Sequence, residues 1–195
     1  MLTRACAAMK QLNDTAPPRR ITIFEGPDGS GKSYAAKRYA AETGALHIHH
    51  GAYPSLSGPD RFGVYFASML PAFRGLCDVV LDRCWYSERP YGLSGRDNII
   101  RLSMEARADL DTVASWCRVV LVLCLPQLSV CAENYTSRRG EEYLDNLEQL
   151  RRVHEEYQRQ PYRLPMVEYD FTKQPELDLT ILEATRGPGV EKVPW

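Results

Sequence analysis

Between residues 26 and 33 the chain reads GPDGSGKS, directly after the apolar run ITIFE at 21–25. The spacing is G-x-x-x-x-G-K-S, a pattern whose parts suit a phosphate chain. Gly26, Gly29 and Gly31 let the backbone curl so that successive N–H groups face one anion. Lys32 would place its ammonium on the terminal phosphates of a nucleoside triphosphate, and the Ser33 hydroxyl would bind magnesium. A helix opening near Gly31 would aim the positive end of its dipole at the same charge. The plainer alternative is a glycine turn with an incidental lysine. Context weighs against it, because an apolar strand precedes the pattern and YAAKRYAAETG follows with helical spacing and Gly44 as a stop. A second polar group stands in LDRCWYSERPYG, 81–92. Asp82 ends a buried-looking run, where a carboxylate can hold magnesium, and the planar fork of Arg83 suits a phosphoryl group. An Asp–Arg pair that simply closes a strand is the bland counterpart.

Something must carry these groups to one place. Strand-like runs lie at ITIFE (21–25), ALHIHH (45–50), CDVVLDR (77–83), RVVLVLCLP (118–126) and PMVEYDF (165–171). Helix-like segments alternate with them. In PDRFGVYFASMLPAFRG, Phe62, Tyr65, Phe66, Met69 and Phe73 fall at steps of three and four. RLSMEARADLDTVASW, LSVCAENYTSRR and LDNLEQLRRVHEEYQ complete the set. The alternation predicts an α/β fold, a doubly wound parallel sheet of five strands with helices on both faces. Ligands of such sheets bind beyond the carboxyl ends of the strands, where the phosphate loop and Asp82 both fall. The expected organisation is an N-terminal arm over 1–20, a single domain over 21–185 with a short lid near 134–143, and a tail over 186–195.

A chain of 195 residues, 44% hydrophobic and 25% charged, suits one globular domain. Its net charge of −1 shows no global basic field, which disfavours a duplex nucleic-acid partner. The six cysteines include no C-x-x-C pair and read as reduced thiols, as expected of a cytoplasmic protein. No run approaches a membrane span, and the first twenty residues lack the apolar core of a secretory signal.

FEGPDGSGKS resembles the phosphate loop of thymidylate kinases, F-E-G-x-D-G-x-G-K-[ST], with Asp28 at the acidic position. LDRCWYSERPYG is similar to the D-R-x-x-x-S segment of that family and to the E-R-S-x-x-S segment of deoxynucleoside kinases. Its form S-E-x-x-Y-G, with Ser87, Glu88, Tyr91 and Gly92, is most like thymidylate-kinase-like proteins encoded by bacteriophages. SRRGEEYLDNLEQLRRVHEEY (137–157) resembles the lid and following helix of deoxynucleoside kinases. The resemblance runs from residue 21 to about 170 and implies a nucleotide kinase using ATP and Mg²⁺. By it, Gly26, Asp28, Gly29, Ser30, Gly31, Lys32, Ser33 and Tyr34 would bind ATP, and Ser33 and Asp82 the metal. Arg83 would contact the acceptor, while Arg138 and Arg139 would be lid arginines closing over the transferring phosphoryl group. Ser87, Tyr91 and Arg96 would line the acceptor site. Tyr53, Phe62 and Tyr65 are candidates to flank a base, although aromatics at helical spacing serve a core more readily.

The departures matter. Where thymidylate kinases carry Arg-Glu-Pro-Gly-Gly, and deoxynucleoside kinases a Glu-Pro, this chain has HIHHGAYPSLSGPD (47–60). In nucleoside kinases that glutamate takes a proton from a hydroxyl; no carboxylate occupies its place here, and a nucleoside monophosphate, already ionised, needs none. His47, His49 or His50 could substitute as a base, though alternating His47 and His49 read more simply as the polar side of a strand. The leading expectation is thus a P-loop kinase acting on a deoxynucleoside monophosphate, thymidylate or a modified pyrimidine. Behind it stand a deoxynucleoside kinase, a kinase of hydroxymethyl pyrimidines in DNA, and a nucleotide-binding protein without catalysis. For the DNA reading, Arg61, Arg74, Arg89, Arg96 and Arg101 are the cations on hand to form a groove. The sequence leaves open whether the chain works as a homodimer.

Overall fold

The computed structural model describes residues 19–51, 56–95, 98–137 and 144–174. Tyr53, Arg96, Arg138 and Arg139 lie outside these residues, as do nearly all of the expected arm, much of the expected lid and the whole tail.

Five strands form one parallel sheet: β1 (Arg20–Glu25), β2 (Leu46–His49), β3 (Val79–Asp82), β4 (Arg118–Cys124) and β5 (Met166–Tyr169). Their spatial order is β2-β3-β1-β4-β5. Among the described residues six helices lie between them: α1 (Lys32–Thr43), α2 (Gly58–Phe73), α3 (Glu88–Gly95), α4 (Met104–Ala114), α5 (Leu128–Ser137) and α6 (Leu147–Arg159). A 3₁₀ turn, Trp85–Ser87, joins β3 to α3. The five-stranded doubly wound sheet expected from the sequence is the sheet observed.

Burial explains the order. The central strands β1, β3 and β4 are buried on both faces, as a strand covered by helices above and below must be. On one face Ile21, Ile23, Val79, Leu81 and Leu121 pack against Tyr65, Met69 and Phe73 of α2 and Leu110 and Val113 of α4. On the other, Phe24, Val80, Val120 and Val122 meet Ala35, Ala36, Tyr39 and Ala40 of α1. The three alanines bring α1 close to the sheet. Each fully buried large side chain contributes roughly 1.5–3 kcal/mol. The edge strand β2 alternates Leu46, His47, Ile48 and His49 and is only partly covered.

Helix starts follow the side chains that can satisfy their first N–H groups. Ser57 accepts from Asp60 N, Ser103 from Ala106 N and Asn146 from Gln149 N. Gly44 ends α1 in the left-handed conformation.

A third apolar group covers the carboxyl end of β4. Tyr91 of α3, Cys131 and Tyr135 of α5, and Leu150, Val153 and Tyr157 of α6 pack there with Leu123. The helix α3 has no apolar period of its own in ERPYGLSG; it forms because Tyr91 docks edge-on to Tyr157, with ring centres 6.4 Å apart. Cys77, Cys84, Cys117, Cys124 and Cys131 are free thiols. Among the described residues no helix is long and apolar enough to cross a membrane.

Candidate active site

The loop after β1 is held from both sides by carbonyls. A Cβ on Gly26 would come within 2.1 Å of the Cys124 carbonyl oxygen, and one on Gly29 within 2.2 Å of that of Cys131. Both residues also have positive φ, 149° and 75°. Only glycine meets both demands. Asn134 of α5 fastens the loop by donating Nδ2 to the Gly29 carbonyl at 2.8 Å.

Lys32 is buried at the first position of α1. Its Nζ donates to the Pro27 carbonyl at 3.0 Å and lies 3.6 Å from Asp28 Oδ1. Burial, and then the charge of Arg83, pull the ammonium below its usual pKa, against the opposing charges of Asp28, Asp82 and Glu25. Ser30 is buried in the loop, whereas Tyr34 is 72% exposed at its rim.

Asp82, fully buried at the end of β3, reaches the loop: the Ser33 hydroxyl donates to its Oδ1 at 3.1 Å. The two expected metal ligands thus meet across the β1–β3 pair. The other oxygen, Oδ2, is 2.8 Å from His49 Nδ1 and 3.9 Å from His47 Nε2. His47 and His49 therefore share the strand face that turns toward Asp82. His50 lies edge-on to Tyr65, with ring centres 5.0 Å apart. Burial, and then the charge of His49, push its pKa down to about 4, so His50 is a neutral imidazole at pH 7. Burial likewise lowers the pKa of His47.

Arg83 has a φ of 75°, uncommon for a residue with a side chain. Its guanidinium bonds Asp28 Oδ1 and sits 4.7 Å above the Tyr91 ring. Burial of Asp28 opposes its ionisation, but the charges of Arg83 and Lys32 outweigh that and hold its pKa below the ordinary value. The phosphate loop and the Asp82–Ser87 turn are joined here edge to edge.

Several residues take roles the sequence did not signal. Glu25, fully buried at the end of β1, accepts from Cys84 N at 2.6 Å, Ser87 Oγ at 2.8 Å and Tyr157 OH at 2.8 Å. In the sequence it is the acid of F-E-G at the head of the phosphate-loop resemblance, with no role assigned to it. Ser87, expected to line an acceptor, thus spends its hydroxyl on Glu25, and Tyr91 lies under Arg83. Arg61 and Glu88 form a buried pair at 2.7 Å, joined by the Tyr65 hydroxyl at 2.9 Å. Tyr65 is core on its ring and polar at its tip, and Phe62 stacks on Phe66. Arg61 and Arg89 are engaged by Glu88 and Glu156, so the arginines expected to form a groove are in part committed to the protein itself.

No protein-family model and no curated protein sequence matches the chain. Solved structures do match its fold. The YorR protein of Bacillus subtilis, solved with phosphorylated GDP, superposes with a TM-score of 0.61 at 20% identity over 79% of this chain and 86% of that one. A thymidylate kinase from Candida albicans gives 0.55 at 18% identity, over 87% and 93% of the two chains. A deoxyadenosine kinase from M. mycoides with bound dCTP gives 0.50 at 17%, over 84% and 94%. What these proteins share with the chain is the α/β fold of P-loop kinases.

Proposed function

We propose that the chain is an ATP-dependent kinase that transfers the γ-phosphoryl group to a deoxynucleoside monophosphate, thymidylate or a modified pyrimidine relative. The observation that carries this reading is the junction of the phosphate loop with the Asp82–Ser87 turn. There Lys32, Asp28 and Arg83 meet within one buried corner, and Ser33 touches Asp82. A transferring group held between these two segments would find cations on both sides.

Ser33 Oγ and Asp82 Oδ1 are hard oxygen donors 3.1 Å apart, which fits a magnesium ion held by two protein oxygens and completed by phosphates and water. When bound, the ion would neutralise charge on the β- and γ-phosphates. The chain's own residues do the rest. The loop amides and Lys32 bind the triphosphate, Asp82 orients Ser33, and Arg83, held on Asp28, is the cation that would meet the acceptor. Such catalysis is positioning and charge neutralisation, with little acid–base chemistry. A monophosphate acceptor suits a site with no carboxylate base after β2. Arg138 and Arg139 are proposed as the lid cations. Fold likeness to a thymidylate kinase and to the YorR protein supports the class.

A deoxynucleoside acceptor is the second reading, favoured by the engagement of Arg83 with Asp28, which spends part of the cation a phosphorylated acceptor would use. The test is radiolabelled ATP offered to dTMP, 5-hydroxymethyl-dUMP, thymidine, deoxyadenosine and hydroxymethylated duplex DNA, at low and high salt. Label in a mononucleotide is expected. Label only in the nucleosides moves the assignment to the second reading, and label only in the duplex, with steep salt dependence, overturns both. No label in any acceptor means no kinase of this class.

A further inference from the structure

We propose that Glu25 is a positioning residue for the transfer reaction, its carboxylate holding the Asp82–Ser87 turn so that Arg83 faces the phosphate loop. The proposal rests on the kinase reading above. Glu25 is 0% exposed, and a carboxylate in such a place needs donors on both oxygens. It has them. Oε1 accepts the Cys84 amide at 2.6 Å and Oε2 the Tyr157 hydroxyl at 2.8 Å. The Ser87 hydroxyl lies 3.0 and 2.8 Å from the two oxygens, and the Gly26 amide 3.3 Å from Oε2. One group therefore joins the start of the phosphate loop, both ends of the turn after β3, and the helix α6.

The grip falls where the chain is least comfortable. Arg83 occupies left-handed backbone, which a residue with a side chain keeps only when its surroundings enforce it. Its own amide is fixed by the Phe24 carbonyl at 2.9 Å, and the next amide, of Cys84, by Glu25. With both amides pinned to the end of β1, the Arg83 backbone is fixed where its side chain reaches Asp28 and lies over Tyr91. Charge-assisted bonds to a carboxylate are roughly twice as strong as neutral ones, which suits an anchor for strained backbone.

A glutamine cannot replace this anchor, although it matches in size. The Cys84 and Gly26 amides lie on different oxygens, and neither amide can reverse its N–H. A side-chain amide accepts from one of them and must oppose the other with its own N–H. In either orientation the Cys84 amide loses its charge-assisted partner, so Glu25→Gln should loosen the turn that carries Arg83 while Lys32 and Ser33, on the first turn of α1, stay in place.

The experiment compares wild type, Glu25→Gln, Arg83→Ala and the double variant. It measures kinetics with ATP and the acceptor that takes label, equilibrium binding of a non-hydrolysable ATP analogue, and amide hydrogen exchange. For Glu25→Gln, kcat/KM for the acceptor should fall by roughly 10²-fold, the loss typical of a group misplaced by about 1 Å. Affinity for the ATP analogue should stay within a few-fold, and exchange at Cys84 should quicken. Because Glu25 acts through Arg83, the double variant should be no worse than Arg83→Ala alone. Tyr157→Phe, which removes one donor and keeps the ring, should shift the same quantities less. Additive losses in the double variant, or a parallel loss of analogue affinity, would overturn the proposal. If wild type labels no acceptor, the kinase reading falls by itself. Unchanged exchange at Cys84 in Glu25→Gln overturns the positioning role with or without transfer.

Discussion

The phosphate loop and the turn after β3 meet at one corner of the sheet, yet they are built in opposite ways. The loop is backbone. Its glycines sit under the carbonyls of Cys124 and Cys131, and its main polar side chains, Lys32 and Ser33, lie within one turn of the helix that follows. The turn is made of side chains from distant segments: Arg83 on Asp28, Glu25 on Ser87 and Tyr157, Arg61 on Glu88. A site assembled from backbone tolerates loss of a side chain structurally and suffers chemically. A site assembled from buried charge pairs should behave the other way round.

The largest effect tests that contrast on the side of the turn. Arg61→Ala removes the guanidinium from a pair whose side chains are 1% and 2% exposed. Breaking one partner of a buried ion pair should cost about 3–5 kcal/mol of stability, read from the denaturant midpoint. A loss below about 1 kcal/mol would show that the pair is relieved by solvent and is no structural counterpart to the loop.

Lys32→Ala should do the reverse. Turnover should drop by roughly 10²–10³-fold while the denaturation midpoint changes little, because the loop is held by glycine packing and Asn134. A variant keeping more than about a tenth of wild-type kcat would remove the lysine from the chemistry.

A pH titration of stability sharpens the comparison further. His50 has a folded pKa of about 4 against 6.5 when free. Below pH 6.5 the unfolded chain binds the proton more readily, so stability is full above that value and declines as pH falls toward 4. The difference amounts to about 3 kcal/mol at most. His50→Gln should flatten that part of the profile, measured by urea unfolding across the range. A slope identical to that of wild type would mean that His50 is protonated in the fold.

The smallest effect is a control away from both regions. Arg152 and Glu148 form an exposed i,i+4 pair on α6. Arg152→Ala should leave the denaturation midpoint and turnover where they are, as solvent-screened pairs of this kind do.

How much of this was legible beforehand differs between the two regions for the same reason. The bend of GPDGSGKS was legible because its glycines, Lys32 and Ser33 are neighbours in the chain, and the place of Asp82 because it ends a buried strand-like run. The five strands were equally legible, since runs such as VVLVLC at 119–124 are apolar on both faces. Glu25 was not, as its partners Cys84 and Tyr157 lie 59 and 132 residues away. Nor was α3, whose polar, glycine-bearing sequence becomes helical only against α6. The histidines of the second strand and His50 after it were legible as a departure. That His49 bonds Asp82 while His50 is buried and neutral depended on how β2 lies beside β3.

The sequence by itself determined the glycine loop after β1 and the alternation that makes the sheet, because both arise from short-range spacing and from the solvation of neighbouring side chains. The tertiary structure alone decided which carboxylates receive which cations. Ion pairing among Asp28, Arg83, Glu88 and Arg61, and the grip of Glu25, depend on distance and desolvation after the strands have aligned. Those quantities are set by packing, and no local pattern of residues encodes them.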